Sequence, residues 1–246
     1  MADSRQGGTL AHTHEGKPGL PRGRSRLPTQ KVQAFQRQRL LRAVVAAVAE
    51  SGFAAVTVAD IVRRAKVSRA AFYAHFADKE DCFLSATGEG GRLMVNRVVT
   101  ATREAGSGVT DEEIIRVACR AFLEFVADEP EFARVFYIDM PAAGPRAVAR
   151  LDAAQHRYAD LNRRWHDRAR ERHPDWPAVP YEAYLALAGA TAELVRAKVR
   201  AGDSGAVADL EDTMVALHLA VMAGRRWDAG AGRDKRGDRS GLTSAR

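Results

Sequence analysis

Between Thr57 and Phe83 the chain reads TVADIVRRAKVSRAAFYAHFADKEDCF, a stretch rich in side chains that can hydrogen-bond to phosphate or to base edges. The phenol of Tyr73, the imidazole of His75 and the ammonium of Lys79 are phosphate donors, as are free amides at helix N-termini. Arg69 carries the planar fork that pairs bidentately with guanine, whereas Ala70 and Ala71 can only meet thymine methyls. None of this is catalytic chemistry. The chain has no nucleophile elbow, Gly-rich phosphate loop, HExxH or paired Cys-His set. His156, His166 and His173 are too irregularly spaced to form a metal-binding helix face, and Cys82 and Cys119 lack ligand-like neighbours. The expectation is a protein with no enzymatic activity, no metal and no cofactor.

Side chains that read a duplex need short, well-stopped helices to aim them. Leu40, Leu41, Val44, Val45 and Val48 give a first helix, about 33–51, a broad apolar face, and Gly52 stands where a C-terminal stop belongs. Thr57-Val58-Ala59-Asp60 is a capping-box-like start for a second helix ending near Ala65. Ser68 caps a third, Arg69 to His75, and Asp78 caps a fourth through Lys79, Glu80 and Asp81. Val58, Ile61, Val62 and Val67 point inward, and the small Ala70 and Ala71 keep the other face slim enough for a major groove.

With its Thr-capped helix, a turn ending in Val67-Ser68, the aromatic pair around a His (Phe72-Tyr73-Ala74-His75-Phe76) and Asp78-Lys79-Glu80, the segment resembles the DNA-binding domain of the tetracycline-repressor (TetR) family of bacterial regulators. The likeness spans roughly residues 37–85. It implies that Ser68 and Arg69 open a recognition helix, that Tyr73 and His75 contact phosphates, and that Lys79 meets a phosphate at the start of the fourth helix. The expected DNA-contacting set is Thr57, Lys66, Ser68, Arg69, Ala70, Ala71, Tyr73, His75 and Lys79. Lys66 stands where the family usually has Gly, so a left-handed conformation there would cost on the order of 1 kcal/mol. Upstream, the arm Arg22-Gly23-Arg24-Ser25-Arg26 suits a minor groove, or serves only as a solubilising tail.

Downstream the pattern stays helical, giving an all-α fold in which a tri-helical helix-turn-helix domain precedes a larger helical one. Thr110-Asp111-Glu112-Glu113 is a full capping box. Helices are expected from there through Val126, at about Pro130–Ile138, Gly144–Arg172, Tyr181–Arg200 and Ala206–Ala223. The domains divide as a disordered basic arm (1–31), the helix-turn-helix domain (32–86), a ligand-binding and dimerisation domain (87–224) and a disordered basic tail (225–246). Phe122, Phe125, Phe132, Phe136, Tyr137, Tyr158 and Trp165, with His156 and Asn162 nearby, fall on successive helices. They suit an apolar small-molecule pocket, although aromatics at helical spacing are also ordinary core. The last two helices suit a homodimer interface, one thin-walled (Ala186, Ala188, Gly189, Ala190, Ala192) and one carrying the stripe Leu210, Met214, Leu217 and Val221.

Charge supports the same partner. The formal net charge is +7, and residues 1–81 carry 14 Lys and Arg against 7 Asp and Glu, while 82–224 are slightly acidic. A basic N-terminal block is what a phosphate surface requires. No apolar run is long enough for a bilayer, no secretory signal is legible at the N-terminus, and cysteine usage suits a reducing cytoplasm. The expected function is a cytoplasmic, dimeric repressor of a palindromic operator, answering to an unknown small-molecule effector. The competing expectation is a ligand-independent architectural DNA binder, because alanines at 70 and 71 limit direct base readout.

Overall fold

Helix α1 (Thr29–Ser51) forms because its apolar residues recur at three and four, and it stops where Gly52 takes φ +77°. Leu40, Leu41, Val44, Val45 and Val48 are all buried. In this computed structural model, residues 9–11 and 29–225 are described. Helix α2 (Val58–Ala65) opens on the expected capping box: the Asp60 amide donates to Thr57 Oγ1 at 3.3 Å and the Thr57 amide to Asp60 Oδ2 at 3.1 Å. It ends on Lys66 in the left-handed region, φ 54° and ψ 44°, so the strain anticipated at that position is present. Ser68 caps α3 (Arg69–Tyr73) by accepting from the Ala71 amide at 3.0 Å; the helix stops two residues short of His75. Phe72 is fully buried beneath it, with Ile61, Leu40, Val44 and Phe83 in the same core.

Asp78 caps α4 (Lys79–Glu104), and here the expected division at residue 86 does not coincide with a break. The helix runs unbroken through it. Cys82, Phe83, Leu84 and Ala86 serve the N-terminal core, whose apolar cluster continues into Phe125, Phe132, Val135 and Met140 of the larger unit. No local signal stops α4 at 86, because its inward residues find partners on both sides.

Thr110 and Glu113 form the capping box of α5 (Asp111–Asp128). Helix α6 (Pro130–Arg134) is shorter than expected: it relaxes into a π-helical turn at Val135–Asp139, then a 3-10 turn at Met140–Ala143. Pro141 cannot continue a hydrogen-bonded helix, and Gly144, φ +110°, turns the chain into α7 (Pro145–Arg172). Buried Asp111 ties the two ends together, accepting from Arg172 Nη2 at 2.5 Å and His173 Nε2 at 2.8 Å. After Pro180 comes α8 (Tyr181–Arg200). A 3-10 segment, Ser204–Leu210, takes the first turn of the expected last helix, and α9 (Glu211–Met222) completes the bundle.

Residues 9–11, read as part of a disordered arm, instead make a docked turn. The Thr9 amide and hydroxyl donate to Glu129 Oε1 at 2.9 and 2.7 Å, and the Leu10 amide to Oε2 at 2.9 Å. No helix among the described residues is long and apolar enough to cross a membrane.

Candidate nucleic-acid interface and internal cavities

The capped α2-turn-α3 unit turns Thr57, Lys66, Ser68, Arg69, Ala70 and Tyr73 to solvent, Tyr73 with about half its surface free (53%). All six of these expected contacts are exposed. Tyr73 is held edge-on against Phe72, with ring centres 5.3 Å apart. Ala71 is half-buried and less available than its neighbour.

Three expectations on this surface meet different surroundings. His75 is half-buried with Nε2 enclosed and unpartnered, and burial, helped by the Arg37 guanidinium, lowers its pKa, favouring a neutral ring. Lys79 turns inward. Its ammonium donates to the carbonyls of Phe53 (3.0 Å), Ala54 (3.3 Å) and Val56 (2.8 Å) and sits 4.6 Å above the Phe53 ring. An ammonium has three protons, and three converging carbonyls use them all. Arg22, Arg24 and Arg26 lie outside the described residues.

Beneath this surface, three adjoining cavities surround Tyr158. One of about 260 Å³ is walled by Phe122, Phe136, Tyr137 and, from α8, Ala188, Gly189, Thr191 and Ala192. Another, about 540 Å³, opens between α4 and α7 and shares Met94, Phe136, Ala154 and Tyr158 with it. The third, about 300 Å³, is bounded by Cys119, Phe122, Trp165 and His218. Five aromatics anticipated for a pocket (Phe122, Phe136, Tyr137, Tyr158 and Trp165) therefore line cavities. Phe125 does not: it is core, edge-on to Phe132 at 5.9 Å. His156 is exposed, stacked on Tyr181 outside the bundle, with Nδ1 3.0 Å from the Tyr181 hydroxyl. Its ring takes that outer contact because α7 turns it away from the bundle interior.

His218 was not anticipated. Its Nδ1 donates to the Met214 carbonyl at 2.6 Å, leaving Nε2 to accept from the Tyr158 hydroxyl at 3.2 Å. Nothing local marks it, since a single His on an apolar helix has no motif. Burial lowers its pKa below the usual 6.5, as burial also does for His166 and His75. A histidine that resists protonation when folded but not when unfolded contributes its stability above about pH 6.5 and loses it as pH falls through that value. The melting temperature should accordingly fall between pH 7.5 and 5.5, and less steeply in His218→Asn. Equal slopes in the two proteins would contradict the buried, neutral ring.

The helix-turn-helix geometry has a counterpart in known proteins: residues 40–86 match the model of bacterial regulatory proteins of the tetR family. The helix-turn-helix unit is that of the tetR family of bacterial regulatory proteins. The fold of the chain is similar to the fatty acid degradation regulator FadR from Bacillus halodurans (18% identity over 78% of this chain and 97% of that one, TM-score 0.67). It is also similar to the transcriptional regulator FadR from Bacillus subtilis, solved in complex with stearoyl-CoA (16%, 76% and 98%, 0.65). A tetR-family regulator from Pectobacterium atrosepticum shares 23% identity over 80% and 99% of the two chains, TM-score 0.59. At such identities the likeness is one of fold. Within this fold, α4 belongs both to the helix-turn-helix core and to the cavity walls, through Cys82 and Phe83 at one end and Met94 and Val98 at the other.

Proposed function

We propose that this protein is an effector-responsive repressor that binds a palindromic operator as a homodimer, with no enzymatic activity of its own. The observation carrying this reading is the unbroken α4, one end in the DNA-reading unit and the other in the cavity walls. A molecule that fills the cavities displaces the far half of α4 and thereby changes the separation of the two recognition helices, which must match about one DNA turn. Arg69 reads guanine, Tyr73 and the N-terminal amides of α3 hold phosphates, and Ala70 meets a thymine methyl.

The dimer forms through the outer faces of α8 and α9. Leu210 and Met214 of the anticipated stripe are buried within the subunit, so the contact falls on small residues, the exposed Ala186 and Ala197 and half-buried Ala190 of α8 with the half-buried Ala216 and Ala220 of α9. Thin helices allow close approach of two copies. The effector carries a long apolar chain. Apolar walls with a few polar groups suit such a chain, and a relative of the same fold was solved with stearoyl-CoA. The cavities also weigh against a ligand-independent architectural role, which needs none.

The test is binding of the purified chain to DNA from upstream of its own coding region, against scrambled DNA. Specific affinity should fall about tenfold in Arg69→Ala while affinity for scrambled DNA stays the same. Equal losses on both DNAs would make Arg69 a phosphate contact, and sequence-blind binding by the wild type would favour the architectural reading.

A further inference from the structure

The 540 Å³ cavity has the most arginines in its lining, four against Arg196 in the 260 Å³ cavity and Arg164 and Arg168 in the 300 Å³ one. Its interior is apolar, with Met94, Phe136 and Met140 among its walls, yet its rim carries four arginines: Arg37 of α1, Arg92 of α4, and Arg150 and Arg157 of α7. Against them stands one carboxylate in the lining, Glu89. Arg37 Nη1 donates to Glu89 Oε2 at 3.1 Å, and Arg92 Nη2 lies 3.6 Å from the same oxygen. Arg150 and Arg157 are exposed and make no ion pair among the described residues. They lie seven residues apart, two turns along one face of α7. Four like charges around one opening repel one another, and a single carboxylate offsets only part of that. A fork-shaped guanidinium is matched best by a phosphate or carboxylate oxygen pair.

We propose that this arginine rim is the subsite for the phosphate-bearing head of an amphiphilic effector whose acyl chain lies in the cavities around Tyr158, and that the head takes Arg37 from Glu89. The first part gives the proposed effector a polar end as well as an apolar one, and so rests on the reading of the cavities as an effector site. The second gives the head a route to the DNA-reading surface. Arg37 belongs to α1, and its guanidinium also sits 5.7 Å from the centre of the Phe76 ring, three residues past the end of α3. Phe76 is buried against Phe72, the inward anchor of the recognition helix. A head group that draws the Arg37 guanidinium onto itself removes it from both Glu89 and Phe76, whereas an apolar chain without a head leaves Arg37 in place.

Calorimetric titration of the full chain, without DNA, tests this with three probes of one chain length: lauroyl-CoA, 1-lauroyl lysophosphatidate and the uncharged monolaurin. Both phosphorylated probes should bind at least about tenfold more tightly than monolaurin. That preference should shrink to about threefold or less in the double variant Arg150→Ala/Arg157→Ala, whose side chains are exposed and not needed for folding. Whichever phosphorylated probe binds more tightly identifies the source as a coenzyme thioester or a lipid. Glu89→Gln removes the competing carboxylate and should tighten lauroyl-CoA binding by about threefold or more. Monolaurin binding as tightly as the charged probes, a preference that survives the double variant, or no binding of any probe overturns the subsite. An unchanged affinity in Glu89→Gln overturns the exchange at Arg37. Because no DNA is present, failure of operator binding alongside an intact head-group preference would sink the repressor reading and leave the subsite standing.

Discussion

Replacing Gly90 by Ala is expected to destabilise the protein by about 3 kcal/mol, lowering its melting temperature by roughly 6–12 °C. Local propensity points the other way, since Ala in a helix interior gains up to about 1 kcal/mol over Gly. The tertiary contact decides the sign. A Cβ at Gly90 would lie 2.1 Å from Phe132 Cε2 and 2.4 Å from Cζ. That ring cannot retreat, because it is buried between Phe125, edge-on at 5.9 Å, and Phe136, stacked at 5.7 Å. Gly88, two residues earlier on α4, has open space where its Cβ would be, so Gly88→Ala should be neutral or stabilising. Phe132→Leu placed on Gly90→Ala should recover part of the loss. Thermal melts of the four proteins measure this, and a Gly90→Ala protein as stable as the wild type would mean that α4 and α6 are not in contact there. Phe136 also walls two cavities, so the same substitution should weaken binding of an apolar probe.

A second large effect is expected at Lys79. Lys79→Met should cost about 2–3 kcal/mol, because three carbonyls of the segment leading into α2 lose a charged donor at once. Lys79→Arg should not restore it: a planar fork cannot send three protons to three carbonyls converging on one point. Salt dependence separates this role from the phosphate contact implied by family resemblance. A phosphate contact would reduce the slope of log affinity against log salt by about one on removal. The folded fraction of Lys79→Met should instead keep the wild-type slope while melting earlier. An unchanged melting temperature with a shallower slope would return Lys79 to the DNA-contacting set.

These two positions show where legibility in the sequence stops. Thr57, Ser68, Asp78 and Thr110 all cap the helices their types announced, because a cap is a contact between a side chain and an amide two or three residues away. Lys66 is flagged instead through the family resemblance, which puts Gly at that turn position, and it does take a left-handed φ of 54°. Gly90 carried no comparable sign. Its meaning comes from a ring 42 positions further along the chain. Lys79 read as a free cation at a helix start, and only the folded-back 53–56 segment gives its ammonium other partners. The aromatic set divided on the same principle. Spacing placed Phe122, Phe125 and His156 on helix faces, but whether a face meets a cavity, a packed core or solvent depends on the helix opposite.

By itself, then, the sequence determined the all-helical class and the capped helix-turn-helix unit, since each follows from periodicity and from contacts within a few residues, while the ordered motif from Thr57 to Phe83 carried the family resemblance. Tertiary structure alone decided that α4 is shared between the two units, that Tyr158 and His218 meet among three cavities, and that arginines from α1, α4 and α7 converge on one rim. Residues brought together by the packing of distant helices leave no spacing between them for a sequence pattern to record.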